Sequence, residues 1–223
     1  LLDCYNAGGG TVYAPTGTYA VGANLVTYSN VWFRGDGPGA TILQQTAGAG
    51  AVNMLDVHAT LNTNITIADM KFDVTLNALT NNTACILLTG GTTDTRINNV
   101  HIEGALGKSI SLYSTTDDFK RITLTNLYLK DSGSSAIDIL DAVGTNESII
   151  ISNVTIDGVA VNTANTPGIK LEGPATISNL HVVNLDNAIP STSEGVDFQN
   201  SSITSSLNPA RTATLSGFVI EGS

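Results

Sequence analysis

Three charged residues fall at the same place in a short repeated pattern of this sequence. Asp138 stands in Ala136-Ile137-Asp138-Ile139, Lys170 in Gly168-Ile169-Lys170-Leu171 and Asp197 in Gly195-Val196-Asp197-Phe198. Small–apolar–x–apolar alternates with period 2, so it reads as a strand whose middle residue points away from an apolar core. If successive copies stack as neighbouring strands, the two carboxylates lie two strand spacings apart, about 9.5 Å. Inverting glycosidases hold their carboxyls about 6.5–9.5 Å apart, one protonating the leaving oxygen and the other activating water. Asp138 and Asp197 are therefore the candidate acid and base, and Lys170 a substrate-binding or charge-balancing group between them. A lysine acting as a lyase base needs a depressed pKa, and flanking carboxylates push it the other way. The pattern thus favours hydrolysis over lysis. The same alternation of charge also serves as a cross-strand ladder that stabilises an exposed sheet.

These strands belong to a larger repeat. The motif apolar–x–apolar–x–Asn–apolar–x–apolar is clearest at Ile122–Leu129 and Ile149–Ile156, with further copies centred on Val31, Met70, Val100, Leu180 and Phe218. Seven copies with a core period near 27 predict a stacked solenoid. Each half alternates with period 2, and inward parity is kept across the middle only if the chain bends there. The residues before the centres are Asn30, Asp69, Asn99, Asn126, Asn153, Asn179 and Gly217. These types tolerate the left-handed backbone of a tight bend, and stacked they would form an asparagine ladder. With the small–apolar–x–apolar strand, each rung has three short strands. The expected fold is an all-β, right-handed parallel β-helix of about seven rungs. A leucine-rich repeat would place two residues between Leu and Asn, where one stands here. A β-sandwich would not explain the Asn column.

The residue after each centre gives a second outward column: Trp32, Lys71, His101, Tyr128, Thr155, His181 and Val219. Rings on a rigid sheet could stack on sugars, so Trp32, Tyr128, His101 and His181 are candidate substrate-binding residues, with Glu172 beside the first column. They could equally pack on one another or on a neighbouring subunit. Asp117, Asp118, Asp141 and Glu172 offer oxygen ligands of the kind Ca²⁺ takes; no cofactor is otherwise called for, and no His/Cys cluster has metal spacing.

Composition narrows the partners. The chain has 223 residues, 42 % hydrophobic and only 13 % charged, with a net charge of −10. Polarity comes instead from 29 Thr, 21 Asn and 18 Ser. Such an acid excess repels nucleic-acid backbones and anionic lipid. No run of about 18 apolar residues is present to cross a membrane. Cys4 and Cys85 allow at most one disulfide between them. The balance suits an extracellular, cell-surface or virion-surface protein.

Residues 8–43 carry a resemblance. Gly8–Gly10, Thr11–Tyr13, the turn Pro15–Tyr19 and the loop Gly35–Ile42 resemble the opening of the pectate-lyase-like superfamily of right-handed parallel β-helices. That resemblance implies polysaccharide lyases, glycoside hydrolases, epimerases or viral tailspikes as relatives, and an active site on the outer face of the strand type that carries Asp138. It also implies a capping helix before the Gly-rich turn, of which Leu1–Cys4 would be the tail. The paired Asp and the GHG of the polygalacturonases have no counterpart at the matching strands. The chain therefore reads as one β-helix domain over 1–223, a piece of a longer one. Two functions compete: a glycan-cleaving protein, and a non-catalytic fibre, sheath or tailspike shaft that binds glycans or further copies of itself as a trimer or filament.

Overall fold

A computed structural model describes residues 1–47, 53–57, 62–75, 84–105, 107–141, 146–159, 168–171, 175–185, 196–198 and 214–221. For residues 141, 159, 184–185, 196–198 and 214–221 it describes the backbone only. The fold is a parallel β-solenoid. One sheet stacks, in order, Gly10–Tyr13, Val31–Arg34, Thr63–Asp73, Thr93–Glu103, Lys120–Ser132, Glu147–Val159, Thr176–Leu185 and Thr214–Glu221. The short strands Gly17–Val21 and Thr41–Gln45 join its edge. The other sheet stacks Leu25–Thr27, Leu55–Val57, Ala84–Thr89, Lys108–Ser114, Ile137–Asp141, Ile169–Leu171 and Val196–Phe198. About five turns are regular, from Leu55 to Leu185, against the seven rungs expected. A helix, Leu2–Asn6, precedes the first strand, where a cap was expected.

Two of the three strands of each rung run on as one bent element, and the bend is where the Asn column lies. Asp69, Asn99, Asn126, Asn153 and Asn179 all have φ between 50° and 58°. On either side of Asn126, Ile122, Leu124, Leu127 and Leu129 are all buried while Thr123, Thr125 and Tyr128 face outward. The left-handed residue is thus what lets two period-2 halves share one core. The amides ladder as well: Asn179 Nδ2 donates to Asn153 Oδ1 at 2.9 Å and Asn153 Nδ2 to Asn126 Oδ1 at 3.1 Å. Asn126 breaks the rule and donates to Asn98 instead, at 2.8 Å.

Asn153→Ala should therefore cost more than Asn153→Gly, although both lose the same two amide bonds. An alanine at φ 54° bears the left-handed penalty of about 1–2 kcal/mol. Urea midpoints of the two variants measure the difference; a glycine variant as weak as the alanine would contradict it.

One copy of the motif belongs elsewhere. Four rungs have a second left-handed corner five residues earlier, at Asn64, Asp94, Arg121 and Ser148. Asn30, at φ 61°, stacks on this corner, and Asn64 Nδ2 donates to its Oδ1 at 3.0 Å. Gly35 occupies the Asn-ladder position of the first rung, its N–H bonded to Ala68 O at 3.0 Å. A β-carbon there would stand 2.4 Å from Asp69 O, so only glycine fits where the Gly35–Ala40 loop leaves the rung. Trp32 consequently pairs with Thr66, and Ile42 takes the place expected for Trp32 beside Lys71.

Candidate functional site

The outer column of the second sheet is continuous: Val26, Asp56, Leu87, Ser111, Asp138, Lys170 and Asp197 are consecutive register partners. The local reason is the Ile-x-Ile and Ile-x-Leu alternation, which buries Ile137, Ile139, Ile169 and Leu171 and turns the residues between them outward. Asp138 and Lys170 thus stand on one face of neighbouring strands, and Asp197 follows them in backbone register.

The environment of Asp138 is not the open ledge that alternation alone implies. Asp138 is 4 % exposed and Ser111 3 %. The Asp138 Oδ2 is ion-paired with Lys108 Nζ, a lysine at the start of the neighbouring strand and outside the column. Its Oδ1 is buried and has no hydrogen-bond partner among the described residues. A buried carboxylate oxygen without a partner is costly, and in native sites its partner is commonly a water or ligand. The arrangement therefore leaves one Asp138 oxygen with accepting capacity and holds the other against a cation. Asp56, further along the column, is held differently: Asn24 and Asn53 amides donate to its two oxygens, the latter at 2.7 Å. Asp197 enters through its backbone register alone, and Glu172 lies outside the described residues. Lys170 is partly buried.

In the second column Lys71, His101, Tyr128, Thr155, His181 and Val219 are consecutive register partners. His101 and Tyr128 engage each other, while Lys71 and Tyr128 engage carboxylates beside the column. The His101 and Tyr128 rings lie 5.3 Å apart at 56°. Tyr128 Oη donates to Asp157 at 2.6 Å, which raises the phenol's pKa. Glu103 accepts from Lys71 at 2.5 Å and Lys130 at 2.9 Å, and both ammoniums hold its carboxyl below the usual range. Burial, with the Lys71 charge second, lowers the pKa of His101, so its ring is neutral near pH 7. His101 and His181 stand three strands apart, too far to act together.

A third arrangement was not expected. Trp32, Thr66, Arg96 and Thr123 form the outward column two residues after the first left-handed corner. With Asn64, Asp94 and Arg121 they line a groove of 360 Å³. Arg121 binds Asp94 through two nitrogens, at 2.6 and 2.7 Å. That guanidinium, with help from Thr63 and Thr93 hydroxyls, holds the Asp94 carboxyl at about 2. The signal was present in the sequence as the constant five-residue offset between Asn64, Asp94, Arg121 and the Asn ladder. Lys108 has no such signal, because no repeat spacing links it to Asp138.

Among the described residues, no three His, Cys, Asp or Glu side chains gather to hold a metal ion. No helix among them is long and apolar enough to cross a membrane. Cys4 and Cys85 are unpaired; burial pushes the Cys85 thiol far above its usual pKa.

Comparison with known proteins agrees with this geometry. A search of curated proteins finds no match. Among solved structures, ORF18 of Geobacillus virus E2 superposes with a TM-score of 0.64 at 14 % identity, over 86 % of this chain and 43 % of that one. The catalytic unit of the thermostable GH87 alpha-1,3-glucanase of Streptomyces thermodiastaticus strain HF3-3 superposes with 0.54 at 18 % identity, over 96 % and 42 %. This chain spans less than half the length of either. At such identities the likeness speaks for the fold. The family model described as "Rhamnogalacturonase A/epimerase, pectate lyase-like" matches residues 3–209, so the chain belongs to that pectate lyase-like family of β-helices.

Proposed function

We propose that the chain acts on a polysaccharide at the Asp138 column, by hydrolysis rather than lysis. The observation that carries this is the Asp138 Oδ1, unpartnered among the described residues, on a strand in register with Lys170 and Asp197. In this reading Oδ1 takes a proton from the attacking water while Lys108 holds Oδ2. Asp197, two strands along at about 9.5 Å, protonates the leaving oxygen. Lys170 lies between them and orients the substrate or balances its charge. The likeness to the glucanase and the family description support a polysaccharide as substrate. An extracellular or virion-surface setting fits the acidic, Thr- and Asn-rich composition, and the phage neighbour supports the virion form. Ca²⁺ at Asp117 or Asp118 and assembly into trimers or filaments remain part of the same proposal.

A second reading has its own observation. The near-complete burial of Asp138 and its Lys108 ion pair are what a purely structural ladder would show. In that case the chain is a non-catalytic shaft or adhesion module.

The test is a panel of acidic and neutral polysaccharides, followed by reducing ends and by ultraviolet absorbance of unsaturated uronates. Hydrolysis predicts new reducing ends without absorbance. Asp138→Asn and Asp197→Asn should each lower the rate by about 10²–10⁴, the usual contribution of a general acid or base. Absorbance rising with the reducing ends would replace hydrolysis by lysis. A folded protein silent on the whole panel would favour the shaft.

A further inference from the structure

The groove at Trp32 lies on the other sheet from Asp138 and has no part in the reaction above. Its features point to a ligand. Trp32 is 48 % exposed, a large apolar ring in solvent on a rigid strand. Two strands along the same column stands Arg96, exposed, and it enters no ion pair among the described residues. Between and beside them are the hydroxyls of Thr66 and Thr123 and the amide of Asn64, whose Oδ1 keeps accepting capacity. Arg121 is pinned by Asp94 through two of its N–H groups and keeps further donors facing the groove lining. Two arginines against one aspartate leave the lining net positive by one, in a chain of net charge −10.

We propose that this groove binds a saccharide carrying one carboxylate, stacked on Trp32 and clasped by Arg96. The apolar face of a pyranose ring suits an exposed indole, while its hydroxyls suit threonine and asparagine. An unpaired guanidinium donates two parallel N–H bonds to a carboxylate, which an ammonium cannot do. Trp32 and Arg96 are two strand spacings apart, about 9.5 Å. The sugar chain therefore runs along the solenoid axis, with the ring on Trp32 and the carboxylate on a neighbouring unit. One unpaired cation matches one carboxylate. A densely charged polyanion, nucleic acid included, would be repelled by the acidic remainder of the chain.

Trp32 is the sole tryptophan of the sequence, so its emission reports on this groove alone. The probe is a hexasaccharide of alternating glucuronate and N-acetylglucosamine, compared with the neutral N-acetylglucosamine hexamer and a single-stranded oligonucleotide. A saturable change in emission is expected with the acidic hexasaccharide, with at least about tenfold weaker binding of the neutral one, as a lost charged hydrogen bond implies. Arg96→Gln should weaken the acidic ligand by a similar factor and leave the neutral one unchanged. Arg96 has no partner to lose, so this variant keeps the fold, which a circular-dichroism melt verifies. Trp32→Ala, read by calorimetry, should abolish binding of both sugars. Equal affinity for the acidic and neutral hexamers, an acidic affinity unmoved in Arg96→Gln, or no saturable change at all would each overturn the proposal. Tighter binding of the oligonucleotide would overturn it in favour of a single-strand nucleic-acid groove.

Discussion

Lys108→Met is expected to lower the free energy of unfolding by about 3–5 kcal/mol, the usual cost of leaving one member of a buried ion pair uncompensated. The two side chains are only 20 % and 6 % exposed, so water screens the pair little. The Asp138 Oδ1 already lacks a partner, so after the substitution neither oxygen would have one. Urea denaturation of the wild type, Lys108→Met and Lys108→Met/Asp138→Asn measures this. The double variant should recover most of the loss, because the neutral amide removes the buried charge and the two sites are in direct contact. If Lys108→Met shifts the urea midpoint no more than an ordinary surface substitution, about 0.5 kcal/mol, the pair is not buried in solution. If the double variant is no better than the single one, the loss comes from packing of the lysine stem and not from charge.

Leu124→Ala should cost about 2–5 kcal/mol, as for other fully buried leucines, while Thr123→Ala, one residue away, should change stability by less than about 0.5 kcal/mol. Leu124 is completely buried and Thr123 lies on the outer face of the same strand. Leu124 sits in a column with Ile97 and Ile151, so the cavity would open in the middle of a stack. In a solenoid each rung contacts only its neighbours, so damage to a central rung weakens two interfaces at once. Thermal melts of both variants test this. A Thr123 variant as unstable as the Leu124 variant would mean that the two faces of the strand are not distinguished in the way the bend at Asn126 requires.

The regular rungs were legible because their determinants are local. Alternation assigns Ile122 and Leu124 to the core, and an Asn at position 126 permits the bend that keeps Leu127 and Leu129 there too. The Asp138–Lys170–Asp197 column followed from the same alternation plus a period near 27, and strand pairing agrees with it. The first rung was misread for an equally physical reason. The rungs from Asn64 to Asn153 have two left-handed corners, and Asn or Asp stands at both kinds, so a local motif cannot say which one Asn30 occupies. The hydrogen bond from Asn64 and the close contact of Gly35 with Asp69 decide it, and both span about thirty residues. Moving Asn30 to its proper corner carries Trp32 off the His101–Tyr128 column and onto the Arg96 column.

Legible from the residues alone are the solenoid, its Asn ladder and the common strand position of Asp138, Lys170 and Asp197. These depend on backbone preference and on the parity of apolar positions, which repeat identically in every rung. The tertiary structure decided which side chains meet. Lys108 reaches Asp138 from outside the column, Arg121 grips Asp94 across one rung, and Arg96, two strands from Trp32, enters no ion pair among the described residues. Those pairings depend on how long side chains lean across adjacent strands, and strand register, the only thing a repeat encodes, leaves that direction open.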